Sequence, residues 1–179
     1  MNWKTTEKEL PLVGINNASL HAINVTAGNI TIDYSPKVLQ VVGLGSCIAV
    51  AFYNKPKKLG GLAHVVLPSS DRARTPQIKG KYADSAIKEL IALFQRKKAR
   101  LENTVVKITG GSNMFSNLNK DVFDIGKKNY LAVEKELKKY NLKIARKDIG
   151  GNKGRSIYFN LDNGEIKIFL SGQQLRMIL

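Results

Sequence analysis

Cysteine is almost missing from this chain: of 179 residues only Cys47 carries a thiol, which excludes an internal disulfide framework. Histidine is nearly as scarce, with two residues and no Cys or His cluster, so neither a zinc site nor a bound cofactor is expected. Any hydrolytic chemistry would then be metal-free. No apolar run approaches the roughly 20 residues that span a bilayer, and Met1-Asn2-Trp3-Lys4 does not lead into a signal-peptide core. The expectation is a soluble, cytoplasmic protein without membrane insertion. Acidic residues are half as frequent as basic ones, 14 against 29, leaving a formal charge of +15. Such an excess suits phosphate partners, but the lysines are dispersed, no nucleic-acid signature is present, and 7% aromatic content offers no stacking platform. Nucleic acid is therefore not the expected partner. Internal repeats and low-complexity linkers are also absent, and 43% hydrophobic content in 179 residues fits a single domain over residues 1–179.

What the chain does have is a thiol on a glycine turn. In Gly43-Leu44-Gly45-Ser46-Cys47-Ile48-Ala49-Val50 two glycines allow a tight turn that exposes backbone N–H groups, and an apolar run begins at the thiol. Downstream, Gly60-Gly61-Leu62-Ala63-His64-Val65-Val66-Leu67 sets a histidine inside a second apolar run. The polar, proline-containing Asn54-Lys55-Pro56-Lys57-Lys58-Leu59 between them reads as the loop of a β-hairpin. If Tyr53 pairs with Gly60, Ala49 lies opposite His64 and Cys47 is the diagonal neighbour of His64 on the same face. A one-residue slip would send the two to opposite faces. A thiol needs a nearby base because the thiolate is the nucleophile, so Cys47 and His64 are the candidate catalytic pair. Both residue types also occur as plain core residues, and this pattern alone leaves the two readings open.

Around this hairpin the chain reads as alternating strands and two helices. Ile23–Thr26, Ile30–Asp33 and Lys37–Val42 look like strands, as does Leu10–Gly14 in a segment of residues 1–37 that reads as an N-terminal extension. His21, in that segment, is expected to be structural or exposed. Ser69–Pro76 is an expected exposed loop. Ala83, Ala86, Ile87, Leu90, Ile91 and Phe94 recur at helical spacing between Tyr82 and Lys98. A second helix is expected from Ile125 to Tyr140, capped by Asp124, with Ile125, Asn129, Ala132, Val133, Leu137 and Tyr140 on one side. Lys128, Lys135 and Lys139 form a stripe on the other, either solvated or a recognition surface. Thr104–Thr109 reads as a strand running into Gly110-Gly111, and Leu142–Arg146 as another. Met114 and Phe115 would either cap the core or meet a partner. Asp162-Asn163-Gly164 is a hairpin turn between strands Ser156–Leu161 and Glu165–Leu170. The tail 171–179, which ends apolar, would either pack on the core or bind a partner. The fold class is α+β: a layered α/β sandwich of mixed, largely antiparallel strands covered by two long helices.

Six motifs in order resemble the CheD family of chemoreceptor glutamine deamidases: Gly43–Cys47, Gly61–Pro68, Gly80–Asp84, Lys107–Phe115, Ile125–Asn129 and Asp148–Arg155. The resemblance runs from about Val38 to about Ile168 and implies the same kind of layered fold. It implies hydrolysis of receptor glutamine side chains to glutamate with ammonia release, Cys47 as nucleophile and His64 as its base. Backbone N–H groups around Ser46 and Cys47 are candidate oxyanion donors, with Gly45, Thr109, Gly110 and Gly111 as candidate lining residues. The resemblance sets the Asp148–Arg155 loop at the site, with Arg155 as loop anchor or substrate contact. It names two partners: the cytoplasmic helices of methyl-accepting chemoreceptors, whose acidic character suits a basic chain, and the CheC phosphatase, for which Met114 and Phe115 are candidate contacts. One position departs from the family pattern. A threonine expected six residues before the cysteine is Val41 here, which has the shape but no hydroxyl. A CheD-like module that binds without chemistry is therefore the alternative to a working deamidase.

Overall fold

The computed structural model describes residues 22–71, 73, 78–113, 125–171 and 175–179. In chain order the elements are β1 (Ala22–Asn24), β2 (Ile30–Tyr34), β3 (Val38–Leu44), β4 (Ile48–Asn54), β5 (Leu59–Val65), α1 (Ala83–Arg96), β6 (Thr104–Gly110), α2 (Ile125–Lys139), β7 (Ile144–Ile149), β8 (Arg155–Asn160), β9 (Ile166–Leu170) and β10 (Leu175–Ile178). Two five-stranded sheets result, ordered β2-β5-β4-β6-β7 and β1-β3-β8-β9-β10.

Sequence pattern explains which sheet lies inside. Every residue of β4 and β5 is buried, as their continuous apolar runs require of strands covered on both faces. In β8 and β9 burial alternates strictly, so the second sheet is covered on one face only. The helices pack on the outer face of the first sheet, where Leu90, Phe94, Val133 and Leu137 meet Ile48, Val50, Phe52 and Ile108. On its inner face Ala49, Ala51, Tyr53 and Leu62 meet Leu39, Val41, Ile157, Phe159 and Ile168 of the second sheet. The order of layers is helix, sheet, sheet. This is the expected α+β sandwich.

Packing rather than capping holds the first helix. Tyr82 at its N-cap makes no side-chain cap bond, forgoing about 1 kcal/mol, whereas each of the buried Ile87, Leu90, Ile91 and Phe94 contributes roughly 1.5–3 kcal/mol. Pairing is mostly antiparallel; the exceptions among described strands are β1 beside β3 and β6 beside β7, the latter with α2 as its crossover. The β4–β5 hairpin turns through a short 3₁₀ turn at Lys55–Lys57 and pairs Tyr53 with Gly60 and Ala49 with His64. That is the register that puts Cys47 and His64 on one face.

Three placements bear on the site. The strands expected near Ile23 and Ile30 form as β1 and β2, each an edge strand of one sheet. The strand expected at Leu142–Arg146 runs instead from Ile144 to Ile149, carrying Asp148 into the sheet. The tail forms β10 against β9, a non-local pairing that no local pattern announces. Leu10–Gly14, His21, Arg72, residues 74–77, Met114, Phe115 and Asp124 lie outside the described residues.

Candidate active site

Cys47 ends the bend between β3 and β4 and is half-buried. All three carbonyls of that bend are tied down. Gly45 C=O accepts from Ser112 N–H at 2.9 Å, Ser46 C=O from the Asn129 side-chain amide at 3.0 Å, and Cys47 C=O from Gly111 N–H at 2.8 Å. Such closeness needs glycine at two places. Gly110 has φ +124° and a Cβ there would stand 2.1 Å from Cys47 O; a Cβ on Gly126 would stand 2.4 Å from Gly111 O. Bend, strand exit and helix therefore stack backbone on backbone.

His64 lies in β5, 6% exposed, and strand alternation puts it on the same inner face as Leu62, opposite Ala49. Its Nδ1 is 3.1 Å from the carbonyl oxygen of Val25. A carbonyl only accepts, so Nδ1 carries the proton and Nε2 keeps its lone pair. Val25 is itself fixed, donating its N–H to Gln40 O at 2.8 Å. The connection from β1 to β2 also grips the strand, since His64 N–H donates to Asn29 O at 3.0 Å and Gly28 N–H to His64 O at 2.9 Å. A diagonal neighbour across antiparallel strands stands about 7–8 Å away between Cα atoms, a gap that two inward side chains narrow.

The electrostatics keep both groups neutral at rest. Burial pushes the Cys47 thiol above its ordinary value, an effect partly offset by its own backbone N–H. Burial likewise lowers the His64 imidazole, partly offset by the Val25 carbonyl. The thiol and the imidazole are thus both neutral groups on one face of the sheet, with the ring proton on Nδ1.

The other expected site residues gather elsewhere. Thr109 pairs with Ala49, which pairs with His64, so Thr109 is two strands from the imidazole, roughly 9–10 Å. Its hydroxyl faces Asp148 Oδ2 at 3.3 Å and lies 3.5 Å from an Arg155 nitrogen. Arg155 is buried and forms an ion pair with Asp148, donates to Asp148 O at 2.8 Å, and also bonds Gly150 O and Ser112 Oγ. Gly150 N–H reaches Gly110 O, Asn113 N–H reaches Gly151 O, and the Ser112 hydroxyl reaches Lys153 O. The glycine-rich loop thus clamps residues 110–113, which in turn hold the Cys47 bend. Arg155 thereby ties the glycine-rich loop to Asp148 and Ser112. No three His, Cys, Asp or Glu side chains gather to hold a metal among the described residues.

Two groups at the site escaped the sequence reading. The Val25 carbonyl is a backbone atom and leaves no signature in residue type. Asn129 did leave one, as an amide on the buried side of an amphipathic helix, where a polar residue needs a reason.

Comparison with known proteins bears on the whole arrangement. A family model described as CheD chemotactic sensory transduction matches residues 66–169. A probable chemoreceptor glutamine deamidase CheD of Methanococcus maripaludis is 41% identical over 156 residues, 87% of this chain and 99% of that protein. Any stretch of that length in this chain contains both Cys47 and His64.

The chain belongs to the CheD family.

A protein of the same printed description from Clostridium acetobutylicum is 38% identical over 161 residues, covering 89% of this chain and 97% of its own. Another, from Methanococcus vannielii, is 40% identical over 146 residues, 82% and 93% respectively. Val41 is fully buried in β3 opposite Ile157 and packs in the layer between the sheets. In this CheD-family chain the imidazole takes its orientation from a main-chain carbonyl. No described helix is long and apolar enough to cross a membrane.

Proposed function

We propose that this chain hydrolyses glutamine side-chain amides on the cytoplasmic helices of chemoreceptors, giving glutamate and ammonia. The observation that carries the reading is the Nδ1–H of His64 held by Val25 O, which leaves Nε2 as a base on the face shared with the Cys47 thiol. His64 Nε2 takes the thiol proton as Cys47 Sγ attacks the amide carbon. The tetrahedral oxyanion is met by the backbone N–H of Cys47, and collapse expels ammonia, which receives its proton from His64. Water then attacks the thioester with His64 as base, restoring the thiol and leaving a carboxylate. The relatives named above carry the description of chemoreceptor glutamine deamidases, which supports the same substrate. A net charge of +15 favours encounter with acidic receptor helices in the cytoplasm. CheC phosphatase is the second partner in this reading, with Met114 and Phe115 as its contacts.

Val41 favours one other reading, a module that binds receptors without turnover. Ammonia release from a purified receptor cytoplasmic fragment decides between them, measured for wild type, Cys47→Ala and Val41→Thr. Release by wild type and not by Cys47→Ala is the expected result. Silence in wild type with intact receptor binding, and release in Val41→Thr, would instead mean a site kept without its reaction.

A further inference from the structure

We propose that Asn129 is a positioning residue that aims the oxyanion donor at Cys47. The inference rests on the hydrolytic reading above and adds a residue to its machinery. Asn129 is fully buried in α2, and its amide nitrogen donates to Ser46 O at 3.0 Å and to Val66 O at 2.9 Å. Both of its protons are thereby used, one on the nucleophile bend and one on the segment two residues beyond His64. Because both partners are carbonyls, the orientation of the amide is fixed.

The peptide plane converts this grip into aim. The C=O of Ser46 and the N–H of Cys47 belong to one trans peptide unit and point in opposite directions. Tying the carbonyl toward α2 sends the Cys47 N–H the other way, to the side of its own sulfur, where the same N–H partly offsets the rise in the thiol pKa. The carbonyls on either side, of Gly45 and Cys47, are held by backbone N–H groups, so the middle unit alone depends on a side chain.

Asn129 Oδ1 is buried and finds no hydrogen-bond partner among the described residues. Leucine of similar shape would avoid desolvating that acceptor but would leave the Ser46 and Val66 carbonyls without their donor. The amide is thus accounted for by what its nitrogen holds, and the readouts below separate aim from mere stability.

The experiment compares wild type with Asn129→Leu and Asn129→Ser by three readouts: ammonia release from the receptor fragment, alkylation of Cys47 by iodoacetamide, and affinity for N-acetylglutamate γ-semialdehyde. The aldehyde carbon takes the thiol in reversible addition, and its oxygen then sits where the oxyanion would. Alkylation places no charge on oxygen, so it reports the thiol and the base alone. Losing aim is expected to lower kcat about 10²–10³-fold, with KM changed less than about threefold, and to weaken aldehyde binding in parallel. Alkylation should stay within about threefold of wild type. A kcat within threefold of wild type, or alkylation falling as far as kcat, would overturn the proposal, the latter because the thiol itself had then moved. If Asn129→Leu does not fold, Asn129→Ser, which leaves room for water at both carbonyls, gives the same comparison. Should wild type release no ammonia, the receptor reading fails while aldehyde binding still judges Asn129. Absence of aldehyde binding in wild type as well would overturn the inference.

Discussion

Two polar clusters share the inner face of the first sheet, and they are built on opposite plans. Around Arg155 the guanidinium is buried with its carboxylate, and carbonyls and hydroxyls of Thr109, Ser112, Asp148 and Gly150 converge on it. Around His64 one carbonyl meets one ring nitrogen, and the diagonal neighbour on the same face carries a thiol. A cluster closed on an ion pair and several carbonyls fixes shape, whereas a reactive one must leave a lone pair and a proton uncommitted. Residue type does not separate the two. Both lie in family motifs and both are polar in an apolar layer; the number of partners distinguishes them.

That contrast breaks most sharply at Cys47. Cys47→Ala should abolish ammonia release, and His64→Ala should lower it about 10²–10⁴-fold, while melting shifts by only a few degrees in each. Arg155→Met should do the reverse, costing about 3–5 kcal/mol in a urea melt because the Asp148 carboxylate is left buried without its ion. Replacing both members, Arg155→Met with Asp148→Leu, should recover much of that loss.

Smaller effects sharpen the same division. Turnover per KM should rise with pH through an apparent pKa below the ordinary imidazole value of about 6.5, since burial lowers His64 and its neutral form is the base. The stability linkage has the same sign. The unfolded imidazole takes its proton first, so this contribution is intact above about 6.5 and is lost as pH falls toward the lower folded value. Melting of wild type against His64→Gln from pH 8 to 5 reads it as a difference confined to the acid side. Thr109→Val should cost about 1 kcal/mol with turnover changed less than about threefold, because its hydroxyl serves Asp148 and Arg155 rather than the imidazole.

How much of this could be read beforehand follows from where each signal resides. Both helices announced themselves, because Ala86, Leu90 and Phe94 or Val133 and Leu137 fall on one face by spacing alone. The hairpin register was legible because its loop is short and two apolar runs flank it. The split between clusters was not, since Asp148 and Arg155 meet through a strand that begins two residues later than its apolar start suggests. Nor did any local pattern place β1 beside β3 or β10 beside β9, as these pairings join segments with no shared turn. Asn129 stood on the buried side of its helix in the sequence, but the carbonyls it holds come from residues 83 and 63 positions away.

The Val25 carbonyl has a consequence for how this site tolerates change. Every residue that keeps the backbone path offers the same oxygen, so substitution at position 25 leaves the proton on Nδ1 unaltered as long as the packing holds. Length is another matter. The connection between Asn24 and Ile30 is pinned at Val25, Gly28 and Asn29, and removing one residue would pull the carbonyl off the ring while leaving both strands able to form. The imidazole tautomer is thus specified by counting rather than by spelling: insertions and deletions in a short connector would release it where point substitutions would not.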